Sequence, residues 1–287
     1  MTNRVSNAVL ITGCSTGIGR ATALRLAAAG HPVFATARRL ESIADLASAG
    51  CTVLACDVTD EASMRAAVES VEKSAGAVGA LVNNAGYGSE GPVEEVPMDE
   101  VRRQFETNVF GLARMCQLVL PGMRRQGYGR IVNLSSMGGR MTLPGGGFYH
   151  ATKYAVEALS DALRFEVRGF GVEVVVIEPG AIKTEFGNTA IERIDASAAA
   201  GSPYAKFRDA LKQQIRSLNE GPMAMMAGAP DDIAKVIEKA IGARRPRTRY
   251  LVTAGAQVFV GMRRLLSDRA FDAVLRTMLP TPSRAGD

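Results

Sequence analysis

Tyr149 and Lys153 stand four residues apart in the stretch Tyr149-His150-Ala151-Thr152-Lys153, a spacing that puts both on one face of a helix. A phenol ordinarily loses its proton near pH 10. An ammonium group fixed beside it stabilises the phenolate and draws that value down. The phenol can then pass a proton to or from a substrate oxygen. Ser136, thirteen residues before the tyrosine, adds a hydroxyl able to hold the same oxygen. A carbonyl that accepts hydride becomes an alkoxide, which needs hydrogen-bond donors and one proton. Ser136 and Tyr149 supply both without a metal. A tyrosine and a lysine one turn apart also describe a solvated helix face, so the elements around them decide the reading.

Those elements begin with Thr12-Gly13-Cys14-Ser15-Thr16-Gly17-Ile18-Gly19, which follows an apolar strand (Ala8 to Thr12) and opens a helix (Arg20 to Ala29). Gly13 permits a tight turn, Gly17 lets backbone approach a pyrophosphate, and Gly19 allows close helix packing. The helix start presents unpaired N–H groups to phosphate. Ser15 and Thr16 bond phosphate or ribose, or cap the turn. Placed between the first strand and the first helix, this is a dinucleotide loop.

The second strand's end selects the cofactor. An acid about 18 residues after the last glycine would bind ribose hydroxyls and repel a 2′-phosphate; Ala37 stands there, followed by Arg38 and Arg39. Two guanidinium groups suit a 2′-phosphate, so NADP(H) is favoured over NAD(H). Asp57, ending the third strand, is placed to accept from the adenine amino group, with Val58 beside it. Asn83-Asn84-Ala85-Gly86 ends the fourth strand, where short side chains suit close passage of the cofactor.

Strand-like and helix-like runs alternate along the chain. Strands are expected at Pro32 to Thr36, Thr52 to Cys56, Ala80 to Asn83, Arg130 to Leu134, Val172 to Ile177 and Arg249 to Thr253. Helices are expected at Leu40 to Ser48, Glu61 to Ser74, Met98 to Arg125 and Tyr149 to Arg168. Such alternation implies a single doubly wound α/β Rossmann domain with a seven-stranded parallel sheet. The domain is assigned to 1–255 and a basic, amphipathic helical extension to 256–287. Residues 183–229 break the rhythm and read as a helical substrate insertion.

Bulk properties are ordinary for a globular chain of 287 residues: 47% apolar, 22% charged. Tryptophan is absent and only sixteen residues are Phe or Tyr, which argues against stacking on nucleic acid. The net charge of +5 is local, because Arg244 to Asp287 carries nine Arg and three Asp and the remainder is about −1. Cys14, Cys51, Cys56 and Cys116 form no CxxC pair, and His31 and His150 are the only histidines. Neither a structural zinc site nor a disulfide framework is expected. No signal peptide or membrane span is read, and a cytoplasmic protein is expected.

Together these motifs resemble the short-chain dehydrogenase/reductase family, over roughly residues 7 to 255. The resemblance rests on Thr12–Gly19, Asp57, Asn83–Gly86, Asn108, Ser136, Tyr149, Lys153 and Pro179-Gly180, and in style is nearest the NADP-preferring steroid and retinol branch. It implies that Tyr149 is the acid/base, that Lys153 lowers its pKa and bonds the nicotinamide ribose, that Ser136 holds the substrate oxygen, and that Asn108 fixes a water linked to Lys153. It also implies that Pro179 and Gly180 shape the nicotinamide pocket with Ile182, and that Thr184 holds the carboxamide. A homodimer or homotetramer joined through long helices is the family's habit.

Met141, Leu143, Pro144 and Phe148, the flexible Gly145-Gly146-Gly147 and the methionines Met223, Met225 and Met226 suggest an apolar, adaptable pocket. A lipophilic alcohol or carbonyl is therefore expected: a steroid, retinoid or long-chain compound. In the tail, Val258, Phe259, Met262, Leu265, Leu266, Phe271, Val274, Leu275, Met278 and Leu279 recur near helical spacing, with Arg263, Arg264, Arg269 and Arg276 between them. Such a helix packs on its own domain or a partner subunit, or lies peripherally on an anionic membrane. The rival to an enzyme is a non-catalytic NADP(H) sensor of the same fold, which would have no use for the Ser136–Tyr149–Lys153 set.

Overall fold

Seven short apolar runs pair in parallel in the order β3-β2-β1-β4-β5-β6-β7 in the computed structural model, which describes residues 5–184, 186–196, 201–220 and 227–282. The strands are β1 (Val9–Ile11), β2 (Val33–Ala37), β3 (Thr52–Ala55), β4 (Ala80–Asn83), β5 (Gly129–Leu134), β6 (Val172–Pro179) and β7 (Arg249–Val252). The helices are α1 (Gly17–Ala28), α2 (Glu61–Ala75), α3 (Met98–Phe105), α4 (Leu112–Gln126), α5 (Gly147–Val167), α6 (Phe186–Ala196), α7 (Ala205–Glu220), α8 (Pro230–Gly242), α9 (Ala254–Leu265) and α10 (Asp268–Met278).

Alternate side chains of each strand leave on opposite faces, and both faces are covered. Leu10, Leu81, Ile131 and Val174 enter a core with Met64 and Val68 of α2, Met115 and Val119 of α4 and Val156 of α5. Val9, Ile11, Val82, Val132 and Val175 enter a second core with Ala23 and Leu26 of α1 and Ile233 and Ile237 of α8. Burial on both faces is why the strands read as continuous apolar runs rather than alternating ones. The chain order reverses where β1 lies between β2 and β4. A crevice for a ligand opens at that point, beyond the carboxyl ends of the strands.

Two expected helices differ in detail. Leu40–Ala47 winds as 3₁₀ turns. Met98 to Arg125 is not one helix: a π-helical segment, Glu106–Gly111, separates α3 from α4. That wider turn aims Asn108 at the loop after β4, where its amide is bonded. In the insertion, α6 and α7 bury Ala190, Ile194, Phe207, Leu211 and Ile215 together with Leu279 of the tail. The insertion's ends meet in a parallel bridge between Ile182 and Gly228. Met223, Met225 and Met226 lie outside the described residues.

The tail turns an apolar face onto its own domain. Val260 of α9 and Phe271 of α10 are buried with Met141, and Phe259, Leu266 and Leu275 pack around them. Leu265 (88% exposed) and Val258 (54%) stay outside that contact. No helix among the described residues is long and apolar enough to cross a membrane.

Candidate active site

The glycine loop is held from beneath by Thr12, at the end of β1. The Thr12 hydroxyl accepts the backbone N–H groups of Asn84 and Ala85, each at 3.0 Å. The Asn84 amide in turn donates to the carbonyls of Thr12 and Gly13, both at 2.9 Å. Asn84 therefore locks the loop to β4 instead of merely making room. Gly13 has a φ of +73°, and a Cβ there would lie 2.8 Å from Ala85 Cα. A Cβ on Gly19 would lie 2.4 Å from both Asn84 Nδ2 and the Gly13 carbonyl, so the α1 start can approach β4 only without side chains.

At that start Thr16 is the N-cap, yet it makes no side-chain cap bond, and the first turn carries no acid. Its N–H groups are left for an anion, an observation that fits the pyrophosphate of a dinucleotide. Ser15 and Thr16 are exposed, and Ile18 packs against the core beneath. Cys14 is buried, and desolvation pushes its thiol up to about 12; it is a filler rather than a nucleophile. Removing the Thr12 hydroxyl tests the lock. Thr12→Val keeps the shape but strands two amide donors, which costs about 2 kcal/mol. A melting temperature roughly 5 °C lower is expected, and a melt within about 1 °C of the parent would contradict it.

Arg38 and Arg39 follow β2 directly and are exposed. Arg20 pairs with Asp45 and Arg25 with Glu238, whereas Arg38 and Arg39 enter no ion pair among the described residues. Asp57 ends β3 and accepts from the backbone and hydroxyl of Thr59, at 2.9 and 2.8 Å. Val58 is buried beneath it, against Gly111. Pro179 ends β6, Gly180 donates to Val252 O at 3.0 Å, and Thr184 lies beside Gly17.

Ser136 and Tyr149 meet. The Ser136 hydroxyl is close enough to the Tyr149 phenol to favour its ionised form; Ser136 Oγ accepts from Gly138 N at 3.0 Å and donates to Pro179 O at 3.5 Å. Lys153 Nζ donates to Leu134 O at 2.9 Å and lies 5.7 Å from the Tyr149 ring centroid. The expected lowering of the phenol's pKa is not what these protein groups produce. Burial pushes Tyr149 up to about 12, against the Ser136 hydrogen bond and reinforced by the negative charge of Glu90. Burial also draws Lys153 down to about 8, opposed by Glu157. The phenol is thus kept as a proton donor, beside an ammonium that is still charged at neutrality.

The side chains behind this pair fix the helix and loop that carry it. Asn108 donates to Tyr87 O at 2.8 Å and to Thr152 Oγ1 at 3.1 Å, and accepts from Tyr87 N at 3.1 Å. Its amide is therefore spent on tying the loop after β4 to α5. His150 points away from Tyr149's hydroxyl: Nδ1 reaches Gly138 O at 3.0 Å and Nε2 accepts Leu143 N at 3.2 Å. This assigns the Nδ1–H tautomer and clamps the turn that bears Ser136. Below it, Arg140 pairs with buried Glu178 at 3.0 Å, and Arg249 pairs with Glu157, Asp161 and Glu178 at 2.9, 2.7 and 3.3 Å.

Sequence reasoning missed Thr12 as a lock, Thr152, the Glu178–Arg249 cluster, and Glu90. Glu90 carried a signal of its own, as the only charged residue in the segment 84–92.

Comparison with known proteins agrees with this geometry. Residues 7–195 match the family model described as short chain dehydrogenase. The chain is 33% identical over 270 residues (94% of it, 97% of the relative) to a probable short-chain type dehydrogenase/reductase of Helicobacter pylori. It is 43% identical over 179 residues (62% and 65%) to a 3-ketodihydrosphingosine reductase of Bacteroides thetaiotaomicron. It is 35% identical over 277 residues (92% and 94%) to an NADPH-dependent 3-dehydrocapnine reductase of Ornithobacterium rhinotracheale. Among solved structures, a short-chain dehydrogenase from Streptomyces avermitilis superposes with a TM-score of 0.78 at 32% identity, covering 96% of each chain. One from Burkholderia phymatum, in complex with NAD, gives 0.77 at 26% and covers both chains fully. A serine dehydrogenase complexed with NADP+ gives 0.75 at 27%, covering 87% and 96%.

Proposed function

The chain belongs to the short-chain dehydrogenase/reductase family, and from that premise we propose that it is an NADP(H)-dependent reductase of long-chain ketones or aldehydes with Tyr149 as proton donor. The Ser136–Tyr149 hydroxyl pair beside Lys153 carries the reading.

Gly13 to Gly19, Arg38, Arg39, Asp57, Val58, Asn84 to Gly86, Pro179, Gly180, Ile182 and Thr184 would hold the cofactor. The bound nicotinamide supplies the hydride. The rest is done by side chains. Ser136 and Tyr149 direct two O–H groups at the substrate oxygen. As the carbonyl carbon gains hydride, that oxygen takes the Tyr149 proton and the product is an alcohol. The Lys153 charge steadies the phenolate left behind.

NADP(H) is supported by two uncommitted guanidinium groups at the end of β2. Arg38→Glu should raise the KM for NADPH at least tenfold while NADH use holds or improves; equal effects on both would remove Arg38 from the site. The lipophilic substrate is supported by the apolar insertion. A Cβ on Gly145, just before α5, would lie 2.5 Å from Leu211 of α7, so α7 packs on the glycine loop that leads to Tyr149. Two relatives named as reductases of 3-ketodihydrosphingosine and of 3-dehydrocapnine support a ketone substrate. Exposed Tyr154, Leu159 and Phe165 on α5 support a homo-oligomer through that helix. The test is NADPH oxidation against long-chain ketones, steroids, retinal and small ketones, with NADH in parallel. Turnover on none of the long-chain compounds would overturn the substrate reading.

A further inference from the structure

We propose that a cationic cleft at the edge of β7, together with the outer face of α9, is a docking surface for an anionic phospholipid membrane, whose phosphate groups enter the cleft.

The cleft is built on the last strand of the sheet. β7 stands at the end of the strand order, beside β6. The space next to it, about 490 Å³, is lined by residues of β7, by Val236 of α8, by Gln257 and Arg264 of α9, and by Arg140, Glu178 and Arg247. With Arg249 of β7, four arginines and one acid meet there. Two of the four are already committed: Arg140 to Glu178, and Arg249 to Glu157, Asp161 and Glu178. Arg247 and Arg264 are exposed and enter no ion pair among the described residues. Both are held in place by their backbones. Arg247 N donates to the hydroxyl of Tyr250, another lining residue, at 3.1 Å. Arg264 rides on α9, whose N-cap is Thr253. Thr253 has a φ of +88° and is the one non-glycine residue at positive φ among those described. A β-branched residue is strained there, and strain persists where the surroundings fix a direction. Here that turn sets α9 alongside β7.

What lies next to the two arginines selects the occupant. Gln257 and Arg264 are seven residues apart and share one line along α9. Val258 and Leu265 form the adjacent line. Both are exposed, and Leu265 is the most exposed large apolar side chain among the described residues. The other side of the helix is committed to its own domain, where Val260 is buried and Phe259 packs beside Phe271. A membrane surface satisfies both outward lines. Lipid phosphates meet the guanidinium groups, and the apolar side chains enter the boundary between headgroups and acyl chains. A second copy of the chain does not, because a two-fold contact would bring one positive patch against itself. A nucleic acid would leave Val258 and Leu265 in water. Charge agrees over a longer range: Arg244 to Asp287 carries nine Arg against three Asp, while the rest of the chain is about −1. An anionic surface therefore draws this end of the protein towards itself.

Cosedimentation of the full chain with vesicles tests the inference. Phosphatidylcholine vesicles with about 30% phosphatidic acid should bind the protein at least roughly tenfold more tightly than phosphatidylcholine alone, and added salt should narrow the gap. Arg247→Glu combined with Arg264→Glu should weaken that binding at least about tenfold. Leu265→Asp should weaken it about fivefold. The control is Arg65→Glu combined with Arg102→Glu, an equal change of net charge on α2 and α3, which should stay within about threefold of the parent. All five side chains are exposed, so melting temperatures should hold within about 2 °C. Four results overturn the inference. Equal losses in the two double variants would reduce the effect to net charge. Undiminished binding by Leu265→Asp would mean a polyanion site without membrane contact. Displacement by glycerol 3-phosphate at the concentration of the lipid phosphate would mean a site for a soluble phosphate. Absent vesicle binding, with a dimer that Arg247→Glu and Arg264→Glu dissolve, would mean an interface between copies.

Discussion

Tyr149→Phe is expected to lower turnover about a thousandfold while NADPH affinity changes by less than about threefold. The substitution removes one oxygen from a partly buried ring and leaves the apolar body in place. What goes is the phenolic O–H beside Ser136, the group proposed to hand its proton to the forming alkoxide. General acid catalysis is worth about 10²–10⁴, and here the donor is preorganised. Ser136 is fixed by Gly138 N and Pro179 O, and α5 by Asn108 and Thr152. A phenol pushed up to about 12 by burial is a poor base but a dependable donor, so the loss should be clearest in the reducing direction. Ser136→Ala should cost less, because the proton donor remains. Stopped-flow turnover with NADPH titrated by fluorescence checks both halves. Parent-level reduction by Tyr149→Phe would exclude the mechanism, and lost NADPH binding would mean that the ring had moved.

The elements that carry this site were legible because each is local. The β1–loop–α1 unit, the apolar run of β6 and the Tyr149–Lys153 spacing all lie within a few residues, where periodicity and glycine chemistry act. The seven strands stand close to their expected ranges for that reason. What was not legible depends on chain separation. Arg249 reaches Glu157 and Asp161 across 92 and 88 positions, and Arg140 reaches Glu178 across 38. No local pattern links an arginine to an acid so far away. The π-helical segment was missed because Met98 to Arg125 carries a sound helical pattern throughout. Only the amide of Asn108, bonded to Tyr87 and Thr152, reveals why one wider turn is favourable there. The pKa of Tyr149 was misjudged because spacing shows the ammonium but not the burial, and burial is the larger effect here.

Glu178→Ala is expected to cost about 3 kcal/mol, with a melting temperature lower by roughly 6–12 °C for a chain of this size. Glu178 is 2% exposed and precedes Pro179 at the end of β6. It accepts from Arg140 at 3.0 Å and Arg249 at 3.3 Å. Removing it strands Arg140 outright, whereas Arg249 keeps Glu157 and Asp161. Breaking a buried pair by deleting one partner costs about 3–5 kcal/mol. The lower end applies here because about a quarter of the Arg140 side chain is exposed and can turn to water, and because Glu157 is relieved of a like charge. Asp161→Ala is the internal control: it pairs with the same Arg249 but is about half exposed, so about 0–1 kcal/mol is expected. The effect should also reach the chemistry. Arg140 follows the turn that bears Ser136, and Glu178 adjoins Pro179, which accepts the Ser136 hydroxyl. Turnover should therefore fall more than NADPH affinity, because most of the residues proposed to hold the cofactor follow β1, β2 and β3. Thermal melts of both variants decide the matter. Glu178→Ala no less stable than Asp161→Ala would show that the buried acid is dispensable, and that Ser136 is held by the clamp of His150 on Gly138 alone.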